Sequence, residues 1–223
     1  MMNKCRHESM KYQIIPVTPY QQNCSLIWCN KTMKAAVIDP GGDLERILAE
    51  VNKLGVTVEK VLLTHGHIDH VGAAKRLADH LGITVLGPHR DDTFLLETLP
   101  DQSSDFGFPA CEVLIPGEYL EDGASVTVGE QTLQVIHCPG HTPGHVVFYS
   151  EADKRAWVGD VLFHGSVGRT DFPRSSHQDL IDSITKKLWP LGREVEFVPG
   201  HGPISTFGNE RDQNPFVADQ LFY

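Results

Sequence analysis

The chain has 223 residues with 19 basic and 29 acidic side chains, a formal charge of 19 − 29 = −10 with histidine neutral. At 40% hydrophobic and 22% charged residues it has the composition of a folded globular chain with a real core, which excludes extensive disorder. So acidic a surface repels phosphate backbones and argues against a nucleic-acid partner, and apolar runs far short of the ~20 residues a span requires argue against a membrane helix.

Residues 1–9 (MMNKCRHES) are polar and aperiodic and read as a disordered tail, with Met10 an alternative start, so the folded domain is expected over residues 10–223. Runs rich in β-branched and aromatic residues predict strands at 12–17, 24–29 and 35–38, broken by Pro19, Asn30 and Pro40-Gly41-Gly42. Asp43 is placed to cap a helix whose apolar positions Leu44, Ile47, Leu48, Val51 and Leu54 recur at helical spacing, with Gly55 as its stop. A strand at 60–63, a polar loop at 64–72, a helix at 73–81 stopped by Gly82 and a strand at 83–86 follow. The stretch 88–123 reads as one helix at 91–99 and then an irregular region carrying Pro100, Gly107, Pro109, Pro116 and Gly117. Strands are expected at 125–128, 132–136, 146–149, 156–158 and 194–198. Ser176-His177-Gln178-Asp179 resembles a capping box that opens a helix running through Leu188. Strands and helices in two successive halves suit a pair of packed sheets with helices outside, in one domain without a linker.

Five cysteines without a CxxC pair read as reduced thiols, which with the lack of an apolar signal core points to the cytoplasm. Histidine is the surplus: 12 residues, about two to three times the expected number, fall in short clusters with aspartate. The loop after Leu63 reads Thr64-His65-Gly66-His67-Ile68-Asp69-His70, an HxHxDH string that chance would produce roughly two or three times in a thousand such sequences. Histidines at i and i+2 share a face in extended chain, so His65 and His67 can converge on one point while Asp69 and His70 turn toward another. Three further candidates sit where strands end in glycine-rich loops: His141, Asp160 and His201. If His65, His67 and His141 hold one ion and Asp69, His70 and His201 a second, Asp160 can bridge them, and each ion keeps room for water. Imidazole and carboxylate without thiolate suit zinc first, with iron or manganese as alternatives. Cys138 reads as a small buried side chain, Asp39 as a turn residue, His145 as either core or a support to a ligand, and His89 and His137 as structural.

HxHxDH, a distant histidine, a later Gly-Asp and a final Gly-His resemble the motif set of the metallo-β-lactamase superfamily. That resemblance implies an α/β fold, an αββα four-layer sandwich of two mixed sheets with helices outside, and a dinuclear site at one edge. Within it, the segment from Gly159 to Arg169 is similar to the one that follows the bridging aspartate in glyoxalase II, the hydroxyacylglutathione hydrolases, here of the short single-domain type. The implied activity is hydrolysis of S-lactoylglutathione or a related acyl thioester by a hydroxide bridging the metals, with Asp69 also orienting its proton and Arg169 contacting substrate. Gly168-Arg169-Thr170-Asp171-Phe172 resembles instead a string of the persulfide dioxygenases, which share the fold and use one iron ion, so an iron-dependent dioxygenase is the alternative. Zinc β-lactamases are a poorer match because they lack the bridging aspartate. The expected partner is a small-molecule thioester derived from glutathione.

Overall fold

In the computed structural model, residues 9–222 are described; the sequence-based expectation of a disordered tail lies outside that range except for Ser9, which is exposed. Alternate residues of the central strands face different cores, and this alternation builds the layers. The first sheet has five strands in spatial order β1-β2-β3-β4-β5: β1 Met10–Val17, β2 Gln22–Cys29, β3 Lys34–Ile38, β4 Thr57–Leu62 and β5 Thr84–Leu86. β1 to β3 pair antiparallel, and β3, β4 and β5 are parallel. Ala35 and Val37 of β3 pack beneath helices α1 (Leu44–Leu54) and α3 (Ala74–Leu81) in an outer core that includes Ile47, Val51 and Leu77. Ala36 and Ile38 point the other way.

They meet the second sheet, six strands in the order β13-β12-β9-β8-β7-β6: β6 Ser125–Val128, β7 Gln131–His137, β8 Val146–Ser150, β9 Arg155–Gly159, β12 Glu196–Pro199 and β13 Ser205–Thr206. β12 runs parallel to β9, and the remaining pairs are antiparallel. Val146, Phe148 and Trp157 fill the space between the sheets together with Ile27, Ala36, Ile38 and Leu62 of the first. Val147, Tyr149 and Val158 face outward onto Leu180 and Ile181 of α6 (His177–Asp182) and Ile184 and Leu188 beyond it. The result is the expected αββα sandwich, each sheet mixed and each covered by helix. A small hairpin, β10 (Leu162–Phe163) with β11 (Ser166–Val167), follows β9, and α7 (Phe207–Gln213) closes the fold.

Several local expectations change. Asp43 precedes α1 in the left-handed region (φ 47°) and its side chain makes no cap; Oδ2 instead accepts from the Thr18 amide at 2.8 Å and ties the turn after β1 to the helix. The polar loop is loop only to His67, because Ile68–Val71 winds into a single helical turn, α2, whose Ile68 amide is anchored by the Gln102 side chain at 3.0 Å. The helix at 91–99 is three pieces: a 3-10 turn at Arg90–Asp92, α4 at Thr93–Glu97 and α5 at Leu99–Asp105. Pro100 stands in the first turn of α5, where a missing N–H costs nothing, so it opens a helix rather than ending one. Ser176 does cap α6, accepting from the Asp179 amide at 3.2 Å, but the helix continues over Ser183–Leu188 with π-type bonding.

Candidate metal centre

All seven candidate ligands gather at one edge of the sandwich, beyond the C-terminal ends of strands from both sheets. His65 and His67 follow β4, His141 follows β7, Asp160 follows β9, His201 follows β12, and α2 carries Asp69 and His70. Backbone bonds lock the strand ends together: Val146 N to Thr64 O at 2.8 Å across the sheets, and Gly200 N to Gly159 O at 2.7 Å. A side chain at Gly200 would collide with Asp160 Oδ1 and the His70 ring, so glycine there is a condition of the close approach.

His65 Nε2 and His141 Nε2 lie 3.1 and 3.0 Å from His67 Nδ1. Tetrahedral donors around an ion at a bond length of about 2.05 Å would stand ~3.3 Å apart, close to these separations. The other nitrogens decide the tautomers. His141 Nδ1 donates to the Arg169 carbonyl at 2.8 Å, so its Nε2 carries a lone pair. Thr64 Oγ1 gives its hydrogen to Asp39 Oδ2 at 2.6 Å and therefore accepts from His65 Nδ1 at 3.0 Å, leaving a lone pair on His65 Nε2 as well. Two lone pairs therefore converge beside His67 Nδ1, the arrangement in which three imidazoles can share one cation. Burial lowers His65, His67 and His141 from the usual histidine range; neighbouring histidines reinforce it at His65, while at His67 and His141 burial prevails over the opposing pull of Asp69 and Asp160, and His67 falls to about 3, so all three are neutral and ready to ligate at pH 7.

The second group has the opposite electrostatics. His70 Nε2 stands 3.3 Å from Asp160 Oδ1 and 3.8 Å from Asp69 Oδ2, and Asp69 Oδ2 is 3.1 Å from His201 Nε2. Asp160 Oδ2 also reaches to 3.6 Å from His141 and 3.8 Å from His201, so one carboxylate faces both groups. Burial alone would depress His70, but the negative charge of Asp160 and Asp69 outweighs it and holds His70 well above its ordinary range. Burial would likewise raise Asp160, and the surrounding histidines, His70 first, hold it far below instead. His70 Nε2 and Asp160 Oδ1 are buried without a hydrogen-bond partner, the condition of atoms that ligate a cation. The donor set thus fits two divalent ions, one in an imidazole triad and one in a carboxylate-rich pocket.

Three buried groups support these residues; the sequence had offered that role, as one of two readings, for His145 and not for Asp39 or Asp92. Asp39 accepts from the Thr64 amide at 2.8 Å, the Thr64 hydroxyl at 2.6 Å and His70 Nδ1 at 2.9 Å, so it does more than shape a turn. Its signal was its place at the end of β3, parallel and adjacent to the strand that feeds His65. Asp92 accepts from the Gly66 amide (2.9 Å), the Thr142 hydroxyl (2.8 Å) and the Gly144 amide (2.6 Å), binding the two ligand loops to each other. Nothing in its local sequence distinguishes it from Asp91. His145 resolves as a support: its Nε2 accepts from the Asp160 amide at 3.0 Å and its ring stacks on His65 at 4.7 Å. Cys138 is buried, its thiol pushed up to about 12, and stands outside the ligand groups as expected.

Arg169 lies on the rim with a side chain 70% exposed, its guanidinium paired with Asp171 at 2.7 Å and resting 4.7 Å over the Phe172 ring. Phe172 in turn packs against His67 at 4.8 Å and His141 at 5.5 Å, walling one side of the triad.

A strand-end cluster of histidines and aspartates on an αββα sandwich is the architecture of a metal-dependent hydrolase. The sequence model of the metallo-β-lactamase superfamily matches residues 17–201, and the chain belongs to that family. It is 44% identical over 209 residues to the hydroxyacylglutathione hydrolase GloC of Haemophilus influenzae, covering 93% of this chain and 98% of that one. Among solved structures it superimposes on the BLEG-1 B3 metallo-β-lactamase with a TM-score of 0.86 at 35% identity, covering 93% of this chain and 99% of that one. On TTHA1623 in a di-iron-bound form the TM-score is 0.84 at 36% identity, covering 92% and 100%. ETHE1 from Myxococcus xanthus follows at 0.75 and 26% identity, covering 94% and 85%. Membership implies a dinuclear metal site, for which the clustered histidines and aspartates are the candidates. Among the described residues no helix is long and apolar enough to cross a membrane.

Proposed function

We propose that the protein is a cytoplasmic thioester hydrolase of glyoxalase II type, acting on S-lactoylglutathione or a related acyl thioester. The observation that carries the substrate class is the identity, over nearly the whole of both chains, with a protein named hydroxyacylglutathione hydrolase. In this reading His65, His67 and His141 hold one ion, Asp69, His70 and His201 the other, and Asp160 bridges. Zinc fits the donor set, and iron gains support from the di-iron form of TTHA1623. When bound, the ions supply a water-derived nucleophile at neutral pH and a Lewis acid for the thioester carbonyl.

The chain's own residues do the rest. Asp160, facing both histidine groups, sets the separation at which they act. Asp69 keeps one oxygen 3.1 Å from His201, and in this reading its carboxylate takes the hydrogen bond of the attacking water. A thiol with a solution pKa near ~8.5 leaves as thiolate, so no general acid is required. Arg169, exposed at the rim, offers its guanidinium to a carboxylate of the thiol carrier.

The test is hydrolysis of S-lactoylglutathione by protein of measured metal content, with a chromogenic β-lactam as a control substrate. Turnover of the thioester without oxygen consumption supports the proposal. The second reading, an iron-dependent persulfide dioxygenase, draws on the Gly168–Phe172 string, whose Phe172 packs on the triad. It predicts one iron per chain and oxygen uptake with glutathione persulfide.

A further inference from the structure

His89 and His137, which the sequence marked as structural, meet on the outer side of the ligand loops. Their rings stack with centroids 4.2 Å apart, and a nitrogen of each lies with a carboxylate oxygen of Asp91 inside a 4.8 Å group. The hydrogen bonds at the far side of each ring decide which nitrogen is free. His137 Nε2 donates to the Pro143 carbonyl at 2.8 Å, so in the neutral ring Nδ1 carries the lone pair. His89 Nε2 meets Glu121 Oε2 at 3.0 Å, while its Nδ1 receives the Asp91 amide at 3.3 Å and faces Asp91 Oδ2 at the same distance. The His89 Nδ1 lone pair thus stands between the Asp91 amide and the Asp91 carboxylate, and an ion bound by both side chains would displace the amide from it. A backbone carbonyl behind one imidazole and a carboxylate behind the other are the outer partners that metal-binding histidines use to fix tautomer and raise basicity. The nearby cations are engaged: Arg90 pairs with Glu121 at 2.9 Å, and Lys187 donates to the His137 carbonyl at 2.6 Å.

We propose that His89, Asp91 and His137 form a further transition-metal site, a two-histidine, one-carboxylate site for a borderline cation such as Zn²⁺, which clamps the loop after β5 to the end of β7. An imidazole binds metal in its own plane, so the largely buried His89 ring, 13% exposed, turns out of the stack on binding while His137 stays on Pro143. The clamp sits directly behind the candidate centre. Asp91 precedes Asp92, which holds Gly66 and Gly144, and His137 begins the loop that ends at His141. An ion here therefore joins covalently distant segments that Asp92 already joins by hydrogen bonds, and it stabilises the native state in proportion to its concentration. The site is independent of the reaction proposed above.

The experiment compares the purified holoprotein with a His89→Gln/Asp91→Asn double variant, both changes lying outside the candidate centre. Each is dialysed against a series of zinc concentrations, then assayed for zinc per chain and for Tm. The wild type is expected to take up one more zinc per chain than the variant. Its Tm should climb by roughly 3–5 °C per tenfold zinc beyond half-saturation, a response the variant lacks. His137→Gln in the otherwise unchanged chain should abolish the same increment. Equal zinc content in wild type and variants, or an equal response of Tm, overturns the proposal.

Discussion

Asp39 Oδ2 and His70 Nδ1 are joined by a 2.9 Å hydrogen bond between two side chains sealed from solvent. The bond turns His70 Nε2 toward Asp160 and Asp69, and the same carboxylate fixes Thr64, through which His65 is oriented. One buried aspartate thus aligns a candidate ligand of each ion.

Removing it should therefore act on metal before it acts on chemistry. Asp39→Ala leaves the Thr64 amide and hydroxyl and His70 Nδ1 without their acceptor, at a cost to folding of about 1–3 kcal/mol, and should weaken metal affinity by roughly 10- to 100-fold. Competition with a chromophoric chelator and a denaturant melt read the two effects. Unchanged metal affinity in a folded variant would mean that His70 keeps its orientation without Asp39.

Asp92 should give stability an unusual pH dependence. Burial raises its carboxyl from 3.8 to about 6 despite the donors that hold it. Because the folded-state value exceeds the unfolded one, the native protein binds the extra proton between these values, and this group's contribution to stability falls as pH rises from about 4 to 6. Asp92→Asn cannot titrate, but it turns an amide NH₂ toward a donor and should be less stable at every pH. The gap between wild type and variant should shrink by about 1 kcal/mol between pH 5 and pH 7.5, since a unit of pKa is 1.36 kcal/mol. Urea melts at the two pH values measure it, and a constant gap would show that Asp92 does not titrate in this window.

The contrast between Asp39 and Asp92 shows what was legible in the sequence. The seven candidate ligands announce themselves because ligation demands particular residue types at strand ends beside glycine, and the strands themselves follow from β-branched runs that alternate between two cores. Asp39 was partly visible as the last position before a Pro-Gly-Gly turn. Asp92 was not, since its partners Gly66 and Gly144 reach it only after two distant loops have met. The short turn α2 was missed for a similar reason: four residues carry no helical period, and the Gln102 side chain that anchors its first amide comes from α5. Phe172 became a site residue only through its ring contacts with His67 and His141.

At the rim, Arg169→Ala should raise KM for a glutathione thioester by up to about fivefold, the range of an exposed ion pair, with little change in kcat. Its carbonyl, which holds His141, is untouched by the substitution. Phe172→Ala removes a wall from the triad and should lower kcat as well. Steady-state kinetics on both variants separate the roles, and an unaltered KM for Arg169→Ala would make that side chain a surface charge engaged only with Asp171.

Asp160 carries the sharpest expectation. Its carboxylate lies 3.3 Å from His70 and 3.6 Å from His141, so it faces a candidate ligand of each ion, while the apolar cores that hold the fold together do not depend on it. Asp160→Ala should keep a cooperative fold, lose at least one ion and lose most hydrolysis, by roughly 10²-fold or more. Asn keeps the size but removes the charge that offsets two dications, so it should fail in the same way. His145→Ala supplies the contrast. It deletes a buried ring stacked on His65 and the acceptor of the Asp160 amide, so its cost should appear mainly as stability, about 1–3 kcal/mol, with both ions retained and activity far less reduced. Metal content, denaturant melts and kcat measured side by side on the three variants distinguish a bridge from a packing residue. A fully active Asp160→Ala protein that still holds two ions would remove the bridge, and with it the proposed dinuclear chemistry.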